Sequence, residues 1–163
     1  MARIEARLKE LGLVLPAPMN PPGNFDLVKL HAGIAYVAGH APMDGSKVLV
    51  AGVLGRDLTL EQGYEAARLT GLAIVASLKL ALDDLDRVTA WLRAVVYVQT
   101  AHGFSDNAKV ANGFSDLIVD VWGDAGRHAR SAPGQGPSPL NVPTIVDAVI
   151  AVAPRRRVAA ALR

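Results

Sequence analysis

Two long stretches of helical spacing with one strand-like run between them restrict this chain's fold more than any other feature. From Leu60 to Leu82 the residues Tyr64, Ala67, Gly71, Ile74, Val75, Leu78 and Leu82 recur at helical spacing. Thr59 precedes them with Gln62 three residues on, a capping-box arrangement that satisfies amides otherwise orphaned at a helix start. Asp83-Asp84 ends this helix. A second is predicted from about Asp106 to Trp122, with Val110, Phe114, Leu117, Ile118 and Val121 inward and Gly123 and Gly126 as its stop. Between the two, Val88 to Gln99 is rich in β-branched and aromatic residues and reads as a buried or half-buried strand.

The flanks are shorter and more broken. Ile4, Leu8 and Leu11 share one face of a short N-terminal helix that Gly12 stops. Leu15 to Gly23 holds four prolines and must run extended or turned, so it reads as a strap over the surface. Strands are expected over Leu27–Leu30 and Ile34–Gly39, a turn over Met43–Ser46 and a third short strand over Val48–Val53. His128–Gly134 and Thr144–Val152 read as two more strands. Residues 1–163 thus form one α+β domain, with 1–23 as helix and strap and 155–163 as a basic tail. The order suggests a mixed sheet with both long helices on one face. The other face then needs cover, and self-association is the economical source.

Composition removes several function classes. The chain has 163 residues, enough for a real core, and half of them are apolar. No cysteine is present, which excludes disulfides, thiolate metal sites and a cysteine nucleophile. The net charge is only +2, with part of the basic character in Arg155, Arg156, Arg157 and Arg163. The few aromatics are not interleaved with basic residues, so no nucleic-acid platform is expected. No segment approaches the ~18 uncharged apolar residues of a membrane span, and no signal peptide opens the chain; a cytoplasmic protein is expected. A phosphate loop and a nucleophile elbow are missing too: Gly52-Val-Leu-Gly55-Arg lacks the spacing and the lysine. The four histidines show no paired ligand spacing, so no metal is expected.

Four segments together are more specific. Val37-Ala38-Gly39-His40-Ala41-Pro42, Asp86-Arg87-Val88, Phe104 to Asn112 and Gly126-Arg127-His128-Ala129-Arg130-Ser131-Ala132 resemble the pattern of the Rid (YjgF-like) family, the reactive enamine/imine deaminases. The resemblance runs from about Ala2 to Val152 and is nearest the longer branch with an N-terminal helix. It implies a chorismate-mutase-like (ferredoxin-like) fold and a homotrimer with clefts between subunits. It also implies hydrolysis of imines such as 2-aminoacrylate to 2-keto acids and ammonia, without a cofactor. A small carboxylate-bearing molecule would be the partner.

On that resemblance Arg130 binds the substrate carboxylate, a role that suits a planar, permanently charged guanidinium. Its alternative is a structural ion pair with Asp147. Gly39 would admit a ligand close to backbone or simply form a bulge. Asn112 would supply the cleft or be a solvated helix residue. The chain departs from the family at several positions. Ile145 stands where a glutamate positions water, Phe25 replaces a tyrosine, Ala38 a serine and His40 a glutamine, and Pro133-Gly134-Gln135 replaces Val-Gly-Val. His40 is the candidate for the acid–base function that Ile145 cannot supply, or else a buried hydrogen-bonded histidine. The alternative function is a non-deaminating small-molecule binding protein, or a repurposed biosynthetic enzyme, using the same cleft.

Overall fold

The computed structural model describes residues 3–155; the tail arginines Arg156, Arg157 and Arg163 lie outside the described residues. In chain order the elements are α1 (Arg3–Glu10), β1 (Val28–His31), β2 (Ile34–His40), β3 (Met43–Asp44), β4 (Lys47–Val48), α2 (Leu60–Leu82), β5 (Val88–Gln99), α3 (Asn107–Trp122), β6 (Ala129–Ser131), β7 (Gly134–Gln135) and β8 (Thr144–Val152). The capping box forms as the sequence predicts. The Thr59 hydroxyl accepts the Gln62 amide at 3.2 Å, and the Gln62 side chain accepts the Thr59 N–H at 2.9 Å.

The sheet order is β1-β2-β8-β5-β6, with β7 also on β5. Every pairing is antiparallel except those of β6 and β7 with β5, which are parallel. This is the mixed α+β sheet expected. Helices α2 and α3 pack together on one face, where Trp91, Val96, Val98, Val146, Ala148 and Ile150 are buried. Trp91 meets Phe114 and Trp122 edge-on, with ring centres 5.8 and 5.3 Å apart. Two carboxylate oxygens of Asp86 accept the Arg3 and Ile4 amides at 2.8 Å each, which fastens α1. Its Ile4 and Leu8 are buried, about 1.5–3 kcal/mol each. The strap is tied by the Ala17 amide donating to Asp44 at 2.7 Å, and Met19 packs with Ala41, Met43 and Val142.

Two strand expectations need correction. The segment Val48–Val53 does not form a strand beyond Lys47–Val48, which pairs with Met43–Asp44, part of the expected turn. Gly52 takes φ 133, and the chain swings Leu54 across to the end of β5. There the Leu54 amide donates to Gln99 and its carbonyl accepts from Ala101, both at 2.9 Å. The expected strand over His128–Gly134 is split into β6 and β7. Pro133 has no N–H to continue the ladder, and it contributes only its carbonyl, which accepts the Val98 amide at 3.0 Å.

The second sheet face carries Tyr36, Val95, Tyr97, Ile145, Asp147 and Val149, by alternation with the buried positions. No helix of the described residues packs on it. None of those helices is long and apolar enough to cross a membrane.

Candidate functional site around Arg130

Arg130 sits in the middle of β6, opposite Ala94 of β5. Ala94 is fully buried beneath the helices, so the Arg130 side chain turns to the helical side. There it meets α3. One Nη1 hydrogen goes to the Asn112 Oδ1 at 3.1 Å and the other to the Ser115 Oγ at 2.9 Å, while Nη2 donates to the Ala108 carbonyl at 3.1 Å. Ala108, Asn112 and Ser115 are spaced i, i+4, i+7, one stripe of the helix.

A guanidinium has five N–H donors, and these three bonds use three. The Nε–H and one Nη2 hydrogen have no partner among the described residues. Those two groups are neighbours on one edge of the guanidinium, the geometry that grips a carboxylate with two parallel bonds. Burial lowers the Arg130 pKa and the nearby Asp116 opposes that, but arginine remains charged in proteins. The alternative ion pair with Asp147 is not formed. Asp147 pairs in register with Val95, on the opposite sheet face.

Ser115 and His128 complete this cluster, and sequence reasoning gave neither a role. The His128 Nδ1 lies 2.7 Å from the Gly126 carbonyl and its Nε2 3.1 Å from the Ser115 Oγ. Phe114 and Trp91 flank the ring, with centres 5.4 and 6.5 Å away. Beside it Ser115, Asp116, Arg127, His128 and Arg130 line an open groove of about 570 Å³. The signal available in the sequence was the spacing of Asn112 and Ser115, three residues apart on α3.

Gly39 and Ile145 meet elsewhere. A Cβ built on Gly39 would lie 3.0 Å from the Ile145 Cγ2, so the glycine lets Ile145 close against β2. A register shift between Val37 and His40 accompanies this contact. Phe25 is 48% exposed near the same end, two residues before Leu27, whose carbonyl accepts the Ala38 amide at 2.9 Å. Arg130 with Asn112 and Gly39 with Ile145 are therefore two separate groups within one chain, with β5 between them.

His40 is not with Arg130. It is fully buried, and β8 and β5 lie between the two residues' strands. Its Nδ1 is 2.7 Å from the Ala38 carbonyl, which can only accept, so Nδ1 carries the proton. Nε2 then accepts the Ser77 hydroxyl at 2.8 Å. With both nitrogens occupied inside the fold, the ring fits the structural alternative rather than proton transfer.

Burial lowers the His40 pKa against the raising effect of its backbone bond, and burial likewise leads in lowering His128. The unfolded chain therefore binds more protons than the folded one below the ordinary histidine value of about 6.5. Their stability contribution is full above that value and is lost as pH falls from it towards the folded values. Urea midpoints should be constant between about pH 7 and 8 and fall on going to pH 5, less steeply in His40→Gln. A wild-type midpoint flat down to pH 5 would contradict this assignment.

Among the described residues one group of carboxylates is close enough to hold a cation, Glu5, Asp84 and Asp86. Asp86 is already committed to the α1 amides, and Glu5 pairs with Lys79 at 2.7 Å.

Comparison with known proteins places the chain among relatives. The model of the family described as "YjgF/chorismate mutase-like, putative endoribonuclease" matches residues 5–151. Protein TCP17 of Trypanosoma cruzi is 37% identical over 149 residues, covering 91% of this chain and 93% of its own length. The crystal structure of Atu1372 from Agrobacterium tumefaciens superposes with a TM-score of 0.85 at 35% identity, over 93% of this chain and 94% of that one. Escherichia coli TdcF with bound serine shares the fold at 16% identity and a TM-score of 0.59, over 84% and 94%.

Proposed function

Because this chain belongs to the YjgF/chorismate mutase-like family, we propose that it is a Rid-type deaminase for 2-imino acids, with Arg130 as the carboxylate anchor. The observation that carries this reading is the unpaired edge of the Arg130 guanidinium beside Asn112. The reaction is R–C(=NH)–COO⁻ + H₂O → R–CO–COO⁻ + NH₃, which needs no redox partner or cofactor. Fixing the carboxylate holds the adjacent C=N carbon in one place, and orientation alone is a substantial rate factor. Ile145 offers no proton acceptor, and with Phe25 it supplies apolar wall for the substrate's side chain. The serine bound to Escherichia coli TdcF, a small carboxylate-bearing molecule, supports the ligand class.

A homotrimer belongs to the same proposal. The separation of the Arg130–Asn112 and Gly39–Ile145 groups supports a site that a second copy completes. The sheet face without a helix supports association through that face. Sedimentation equilibrium should return three times 17.1 kDa; a monomer at micromolar concentration would sink the intersubunit site.

The test of function is release of ammonia and keto acid from freshly generated 2-aminoacrylate, with a structured RNA incubated in parallel. Accelerated ammonia release with intact RNA supports the deaminase. Ile145 favours a second reading, a binding protein without turnover. Pyruvate binding with no acceleration of any imine would establish that reading instead.

A further inference from the structure

We propose that His128, acting through Ser115, is a positioning residue that sets the carboxylate-binding edge of Arg130 and releases it on protonation. The inference rests on the reading of Arg130 as the anchor and goes beyond it.

The direction of each hydrogen bond in this cluster is forced. The Gly126 carbonyl has no proton, so at 2.7 Å the His128 Nδ1 must donate to it. In the neutral ring Nε2 is then an acceptor, and the hydroxyl 3.1 Å away is that of Ser115. That commits the single Ser115 proton and turns the oxygen's lone pairs outward. Arg130 can only donate, and its Nη1 meets that oxygen at 2.9 Å. The chain of donors runs one way, from Arg130 through Ser115 and His128 to the Gly126 carbonyl. The result is a guanidinium with one edge locked to α3, while its Nε–H and the remaining Nη2 hydrogen have no partner among the described residues.

Protonation of His128 breaks this order. Nε2 becomes a donor aimed at the same Ser115 oxygen, and the serine proton loses its acceptor. A second positive charge also appears two hydrogen bonds from the guanidinium, in a half-buried place where repulsion is poorly screened. The groups facing the ring are Trp91 from β5, Phe114 and Ser115 from α3, and Arg130 from β6. The groove beside it adds Asp116, Asp120 and Arg127. Asp116 is engaged by the Tyr64 hydroxyl at 2.8 Å. Burial, the larger cause, and the Arg130 charge both favour the neutral ring, in keeping with the donor order.

The test is binding of pyruvate by calorimetry at about pH 7.5 and 5.5, a range in which its carboxylate stays ionised. For wild type the Kd should rise at the lower pH, in proportion to the fraction of His128 that is protonated. Ser115→Ala should bind about 3- to 10-fold more weakly at pH 7.5, the worth of one hydrogen bond, and show little pH dependence. His128→Gln, which cannot titrate, should also be flat, and Ser115→Thr should restore both affinity and slope. Independently of how the variants fold, the imidazole nitrogen shifts of His128 in wild type should report the Nδ1–H tautomer at pH 7.5. The Nε2–H tautomer, or a Ser115→Ala variant with wild-type affinity and slope, overturns the relay. If Arg130→Ala loses pyruvate while those variants do not, only the relay falls. Should Arg130→Ala bind as wild type does, or wild type not bind at all, the anchor reading falls and the relay with it.

Discussion

Replacing Arg130 with alanine should lower kcat/KM for imine hydrolysis by about 100-fold or more. Two charge-assisted bonds to the substrate carboxylate disappear, each worth roughly 1.5–3 kcal/mol, and about 3 kcal/mol corresponds to about two decades in rate. Arg130→Lys should recover part of this. A lysine can make one such contact but has no planar fork, so a loss of roughly tenfold is expected to remain. Thermal stability should change little in either variant, because Asn112 is exposed and its freed oxygen is met by water. Initial rates of ammonia release at several substrate concentrations decide the matter. An alanine variant that keeps wild-type kcat/KM would remove Arg130 from the site.

The largest effect on stability is expected at Gly113. A Cβ there would lie 1.9 Å from the Tyr64 carbonyl oxygen and 2.8 Å from its carbon, both backbone atoms of α2. No rotamer change relieves such a contact, so the helices must separate. In an unobstructed helix, glycine to alanine would gain about 1 kcal/mol from propensity. Here overpacking reverses the sign, and Gly113→Ala should lose about 3 kcal/mol or more. Separation would also strain the 2.8 Å bond from the Tyr64 hydroxyl to Asp116. Gly136, where a Cβ meets nothing within 4 Å, is the control and should shift by less than about 0.5 kcal/mol. Urea unfolding at one fixed protein concentration reads both variants. A stabilised Gly113→Ala would show that α2 and α3 do not cross this closely.

What could be read in advance depended on the range of the interaction that determines it. The extent of α2 follows from Thr59, Gln62 and a regular apolar repeat, all local, and β5 and β8 follow from their length and β-branched content. The short strands did not follow, because Leu54 and Pro133 bond to Gln99 and Val98 of β5, which are distant in sequence, and because Pro133 has no donor. Arg130 was legible as part of a motif, but its partners were not. Asp147 is close in the sheet but on the wrong face, while Asn112 and Ser115 come from α3. His40 looked chemically apt from its neighbours, and only the register of β2 reveals that its ring is under the sheet, bonded to α2.

The break at Pro133 has a bearing on solubility and assembly. A long, flat outer strand is an open template on which another polypeptide can continue the ladder, the first step in strand-swapped and fibrillar aggregates. Here that flank is three residues of β6 and two of β7, interrupted by an imino acid that cannot donate. The opposite flank, β1, is four residues long and carries Lys29 and His31. Neither border can recruit a stranger's backbone for more than a few bonds. Short, interrupted borders of this kind disfavour endless edge-to-edge growth of copies of this chain.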